Sequence, residues 1–352
     1  MFSRMKNIQL NNIILFIIKS FLTIGASSLI VVILGASPTE IITSIYDGSF
    51  GKPEKIVKTL LIFLPISLAS LALIITFSGG LWNIGIEGQI VLGAIGATLI
   101  ARSAIGDHPI SPFIQLITGI SFGAAWGVFC GILKVKFNVH EIFGGLGLGF
   151  VASGTIIYLI IGPWSKKGIA STSGTEIFHE ASWFPTITSL NIPALSILII
   201  SIIIIMIIGF LSYTKYGLML KATGININST DKYQFSSDNY ILMAFLIGGA
   251  IAGLAGVFQA SVFYHKLVPS ISGGYGFLSI LIVLASGRRV LPTLLLTLFF
   301  SAMISGGSQL QLRLGLHSSL ISIVLSSIVF FWLVFNSKLI KKYFEIIEKR
   351  LI

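Results

Sequence analysis

Residues 192–211 contain no charged side chain, and from Ser196 to Gly209 the run is mostly isoleucine, broken only by Leu198, Met206 and the small polar Ser201. A helix built from such a run has no polar face to turn toward water, so its surroundings are hydrocarbon. Comparable apolar stretches recur at 12–34, 56–77, 89–105, 110–133, 142–161, 240–264, 276–285, 290–304 and 318–335. The composition agrees, with 55% hydrophobic and 10% charged residues, where soluble domains carry roughly 25% charged residues. A chain of 352 residues accommodates about ten spans of ~20 residues with short connections. We therefore expect an all-α polytopic membrane protein of about ten transmembrane helices, forming one transmembrane domain over 1–352.

The formal net charge is +11, which in a soluble protein would raise the question of nucleic acid. Here the basic residues lie in short gaps between apolar segments and at the two ends, the distribution expected of positive-inside topology, and no nucleic-acid partner is expected. Arg4 and Lys6 precede a first apolar stretch too long for a signal-peptide core, so it reads as an anchor with residues 1–11 in the cytoplasm. The gaps that then fall inside collect Lys134, Lys136, Lys215, Lys221, Lys232, Arg288 and Arg289, and the basic tail 336–352 joins them. Lys166 and Lys167 are the exception, in a long external gap. An even number of spans with both termini cytoplasmic fits best. The single cysteine, Cys130, excludes an intramolecular disulfide and a cysteine metal cage.

Two segments interrupt the apolar pattern. Residues 78–89 read SGGLWNIGIEGQ, and residues 272–289 read SGGYGFLSILIVLASGRR, whose apolar run is too short to cross at about 1.5 Å per residue. Broken helices are implied. Both segments open with Ser-Gly-Gly and stand five expected spans apart, which suggests a 5+5 inverted repeat whose breaks meet near the midplane.

The phrase Asn83-Ile84-Gly85-Ile86-Glu87-Gly88-Gln89, within GLWNIGIEGQIVLGAIGA, resembles the permeases of bacterial ABC importers for nucleosides, ribose and simple sugars, in the branched-chain amino acid/ribose permease superfamily. The same family resemblance continues through Asn138-Val139-His140-Glu141-Ile142, through TKYGLMLKATGIN at 214–226, through GGAIAGLAG at 248–256 and through Gly274-Tyr275-Gly276-Phe277, in the family's order. Gly147-Leu148-Gly149 departs from the asparagine of many nucleoside-type relatives, and Ser286-Gly287-Arg288-Arg289 is more charged than usual, which leaves the substrate open. The resemblance implies a permease subunit in the bacterial plasma (inner) membrane, working by alternating access. It further implies partners: ABC ATPase subunits that bind ATP and Mg, a second permease chain (the same or a related one), and an extracytoplasmic substrate-binding protein or lipoprotein. Residues 212–238 would be the cytoplasmic coupling segment, with Lys215, Tyr216, Gly217, Lys221, Ala222 and Gly224 meeting the ATPase.

Asn83, Glu87 and Gln89 are the expected pathway or gate residues, since a carboxylate near hydrocarbon is costly unless paired, hydrated or in a polar cavity. The same residues could equally satisfy a broken backbone without touching substrate. Asn138 with Glu141 resembles a reciprocal helix cap, and His140 reads as a surface histidine. Gly249, Gly253 and Gly256 lie at helical spacing, which lets a neighbouring helix approach closely. The gap 162–191, with Trp164, Trp183 and Phe184, reads as an interfacial cap for a binding protein or as aromatic-belt residues contacting membrane lipids. No phosphate-binding loop GxxxxGK[ST], HExxH or GxSxG occurs, so no catalytic residue, metal or cofactor is expected on this chain, and ATP hydrolysis belongs to another. The competing reading is an ion-coupled secondary transporter of a small polar solute, with Glu87 as the ion-linked group.

Overall fold

The computed structural model describes residues 18–19, 21–29, 31–33, 37–166, 173–187, 192–226, 237–314 and 319–335. The basic tail 336–352, Lys167 and the 227–236 part of the expected coupling segment lie outside the described residues. The described fold is helical: α1 (Pro38–Ser49), α2 (Pro53–Ser78), α3 (Ile86–Ala101), α4 (Ser111–Phe137), α5 (Glu141–Ile161), α6 (Ala194–Tyr213), α7 (Lys215–Ile225), α8 (Ser237–Phe258), α9 (Tyr275–Ala285), α10 (Val290–Leu314) and α11 (Ser319–Phe335). By length and composition, six helices can cross a membrane, or seven if the bent pair Phe21–Ile33 and Pro38–Ser49 forms one span. Among the described residues the expected count of about ten transmembrane helices, some of them broken, is not confirmed. Ile86–Ala101, Tyr275–Ala285 and Ser322–Phe335 are apolar but shorter than a full crossing.

The chain divides into two compact units, one of residues 1–59 with 302–352 and one of residues 60–301. In the first, α1 lies against α10 so closely that a Cβ on Gly48 would stand 2.7 Å from the Gly306 backbone. The Ser49 hydroxyl donates to the Ala302 carbonyl.

In the second unit, burial sorts the helices. The most apolar window of α8 with its continuation is 67% buried, whereas those of α4, α5 and α6 are only 22–28% buried. All four are strongly apolar, with mean hydropathy between 1.8 and 3.1 that does not follow their burial, so the difference separates an axis packed on protein from outer helices facing lipid. α8 sits in a groove of glycines. A Cβ on Gly249 would stand 2.4 Å from Gly123 O, one on Gly253 2.4 Å from Gly119 O, and one on Gly256 2.0 Å from Ile90 O. Where lipid removes the hydrophobic drive between helices, close backbone approach of this kind supplies the packing. The sequence reading singled out Gly249, Gly253 and Gly256 but passed over their partners Gly119, Gly123 and Gly127, whose spacing of four on α4 was the available signal.

Beyond Phe258, α8 widens into a π turn, Gln259–Phe263, in which Tyr264 N–H donates to Gln259 O at 3.0 Å. Such turns are rare and recur at functional positions.

Candidate functional site

α2 stops at Ser78 and α3 begins at Ile86, and the reversal between them is built on Gly80. Its φ of +71° is the left-handed region that glycine enters without steric cost. Leu81 N–H closes back on Thr76 O at 3.0 Å, a helix-ending bond that the Gly80 conformation permits. Behind this turn the side chains of Asn83 and Gln89 face one another, 1% and 0% exposed. Asn83 Nδ2 donates to Gln89 Oε1 and Gln89 Nε2 donates to Asn83 Oδ1, each at 3.0 Å. This reciprocal pair fastens the break to the first turn of α3. The Cys130 thiol also lies in hydrogen-bonding contact with Gln89.

Glu87 turns the other way, to the second break. Phe277 N–H donates to Glu87 Oε1 at 3.0 Å, and the Ser272 side chain and the Gly276 backbone lie beside that carboxyl group. Phe277 N–H is one of the free donors at the start of α9, so one carboxyl group from α3 caps a second broken helix. Gly276 is required by this approach, because a Cβ there would stand 2.8 Å from Ile86 Cγ2 and 3.1 Å from the Glu87 carboxyl carbon. The preceding glycines, at φ +58° for Gly273 and +72° for Gly274, make the turn. Sequence reasoning placed both Ser-Gly-Gly segments at breaks but did not connect Glu87 with Ser272, Gly276 and Phe277.

α7 opens with Thr214, whose hydroxyl accepts from Gly217 N–H at 3.0 Å, a side-chain cap. Gly217 is buried against the end of α6, and a Cβ there would meet Phe210 O at 2.1 Å. Lys221 bends back so that Nζ donates to Leu211 O at 2.7 Å, satisfying a carbonyl at the α6 terminus. Of the expected coupling residues, Gly217 and Lys221 thus serve the α6–α7 elbow. Tyr216 and Leu218, 58% and 56% exposed, stand outward with Lys215, Ala222 and Ile225. The inner face, Leu220 and Thr223, is buried.

The α4–α5 turn lies on the same side. Asn138, at φ +52°, ends α4 instead of starting α5. The cap of α5 is His140, whose Nδ1 accepts from Ile142 N–H at 3.4 Å. The expected Asn138–Glu141 capping pair is therefore replaced, because the tight turn needs a left-handed residue where Asn138 stands. Glu141 pairs with Lys134, and the Trp82 backbone lies beside its carboxylate, which brings this turn against the α2–α3 break. His140 is 59% exposed. Among the described residues no group of three or more His, Cys, Asp or Glu is placed to hold a metal ion.

At the opposite end of α4, the described part of the long gap, 173–187, folds onto the chain after the π turn. Thr175 N–H donates to Leu267 O and Phe178 N–H to His265 O, at 2.9 and 2.8 Å. Phe184 is 3% exposed and packs on Phe258, while Trp183 stacks on His265 at 4.1 Å. These aromatics face protein, so Phe184 is neither a belt residue nor a docking surface. Beneath them Gln115 donates to the Ser111 hydroxyl and to Ser182 O, and accepts from Ser261 of the π turn.

The family model described as "Branched-chain amino acid transport system / permease component" matches residues 55–338. The chain is 26% identical over 329 residues to the guanosine ABC transporter permease protein NupP of Bacillus subtilis, covering 92% of this chain and 93% of that one. It is 27% identical over 307 residues to the glucose ABC transporter permease protein TsgB13 of Haloferax volcanii, covering 84% and 79%. It is 26% identical over 316 residues to the nucleoside ABC transporter permease protein NupB of Lactococcus lactis, covering 86% of each. No solved structure matches the chain.

Proposed function

Because the chain belongs to the branched-chain amino acid transport system / permease component family, we propose that it is the translocation subunit of an ATP-binding cassette importer for nucleosides or a simple sugar. The observation that carries this reading is near end-to-end similarity to permeases named for guanosine, nucleoside and glucose transport. ATP and Mg bind separate ATPase subunits, whose movement reaches two permease chains through α7, and an extracytoplasmic binding protein delivers substrate. The α7 end faces the cytoplasm, in keeping with the basic residues Lys134, Lys136, Lys215, Lys221, Arg288 and Arg289 in the gaps on that side. Asn83, Glu87 and Gln89 act by holding the two broken helices in register at the pathway. The outward Tyr216 and Leu218 are apolar anchors of the kind a helix lays into a partner's groove.

The ion-coupled alternative needs Glu87 open to an ion, whereas its carboxyl group is occupied by Phe277 N–H of α9 and lies beside the Ser272 side chain.

The test is co-purification of the solubilised chain with its ATPase and ATP-dependent uptake of ³H-guanosine, with glucose as the competing substrate, in liposomes containing the binding protein. An ATPase that co-purifies with wild type and is lost from Tyr216→Asp and Leu218→Asp, with uptake requiring ATP, is the expected result. Uptake driven by an ion gradient with no ATPase present overturns the reading.

A further inference from the structure

We propose that Gly224 and Leu220 of α7 are positioning residues for transport, the backbone contact of Gly224 with Ser78–Gly80 handing movement of α7 to the α2–α3 break and through Glu87 to α9. This rests on the reading of α7 as the ATPase-facing segment.

The contact is main chain on main chain. A Cβ on Gly224 would stand 2.5 Å from Ser78 O and 2.8 Å from Gly79 C and Gly80 N, and one on Gly80 would stand 3.1 Å from Gly224 Cα. Leu220, 1% exposed, fills the adjoining space, with Cδ1 2.6 Å from where a Gly79 Cβ would lie. No flexible side chain separates the two backbones, so nothing soft absorbs a shift of α7. Beyond the contact, every link is short and directional. The amide pair of Asn83 and Gln89 carries the break into α3, and Glu87 of α3 holds Phe277 N–H at the start of α9. The Trp82 backbone lies beside the Glu141 carboxylate at the start of α5, so the segment from Gly80 to Trp82 has α7 at one end and a long helix at the other. The opposite face of α7, with Tyr216 and Leu218, is open. A helix with one face open and the other locked to a helix break is placed to act as a strut.

A strut makes two demands that simple packing does not: α7 and the break stay together during turnover, and a wedge between them uncouples hydrolysis from uptake. The complex of full-length chain, ATPase and binding protein is reconstituted in liposomes with a Cys130→Ser background. For Gly224→Val we expect the ³H-guanosine taken up per ATP hydrolysed by the assembled complex to fall about tenfold or more below wild type. For Gly79→Cys with Leu220→Cys, oxidation is expected to form the disulfide and leave uptake within about twofold of the reduced form. Wild-type uptake per ATP hydrolysed in the Gly224→Val protein, failure of the disulfide to form, or loss of uptake on oxidation overturns the proposal. Should Gly224→Val not assemble, the disulfide arm decides alone. A wild-type chain that binds no ATPase, or transports without ATP, defeats the functional reading instead.

Discussion

Each of the two amides at the α2–α3 break satisfies the other, and neither has water to fall back on, since Asn83 and Gln89 are 1% and 0% exposed. Asn83→Ala strands the Gln89 amide, and should cost about 1–3 kcal/mol, the penalty of an unsatisfied buried polar group. Replacing both residues by leucine should cost less than the sum of the single changes, with a coupling of about 0.5–3 kcal/mol, read from thermal unfolding in detergent. Glu87→Leu removes the acceptor of Phe277 N–H and leaves that donor unsatisfied, for an expected loss of about 1–3 kcal/mol in the same assay. Glu87 was conspicuous in the sequence as an isolated carboxylate among apolar residues. Its partner Phe277 stands 190 positions further on, and no local pattern reaches that far. What one sequence leaves undetermined is therefore the direction a marked side chain faces, more than which side chain to mark.

At the level of elements, the glycine groove makes a sharp demand. Gly253→Ala places a methyl 2.4 Å from Gly119 O, backbone against backbone, and should destabilise by about 1–3 kcal/mol through overpacking. Gly147→Ala, where nothing lies within 4 Å, should be close to neutral in the same measurement. The segment 173–187 offers a pH test. Burial pushes the His265 pKa below the ordinary histidine range, so the ring is neutral in the folded chain and protonates more readily once unfolded. Its contribution to stability is complete above the unfolded value of about 6.5 and is lost progressively as pH falls below it. The stacked indole of Trp183 reports this directly: its emission should change with a midpoint below about 6.5, and the change should vanish in His265→Gln. Both breaks were legible as glycine-rich interruptions of apolar runs. The inward packing of Phe184 was not, because an aromatic residue in an external gap looks the same whether it meets lipid or protein.

For the molecule as a whole, the expected apolar segments that fall within the described residues are helical, and six or seven of the described helices are long enough for a complete crossing. Composition marks hydrocarbon-compatible stretches well, but their lengths differ by little between a crossing and a half-crossing. Orientation is open to a direct test, since α7 and the segment 173–187 lie at opposite ends of α6. In intact cells a membrane-impermeant maleimide should label Ile177→Cys, and should label Tyr216→Cys only after permeabilisation. Cys130, 4% exposed, should remain silent throughout. The axis that joins the two ends is α8, whose glycines meet α4 while Ser261, within the widened turn, reaches Gln115 under the 173–187 segment. A turn closed over five residues amounts to one residue inserted in a helix of 3.6 per turn, which rotates everything after it by about 100°. Deleting Ala260, ahead of Ser261 in that turn, would therefore shorten no loop. It would let the helix relax to ordinary pitch, leave the glycine seats untouched, and swing the Ser261 hydroxyl about a quarter turn away from Gln115. The extra residue acts as a phase shifter, letting a single rod address two different sets of neighbours at its two ends.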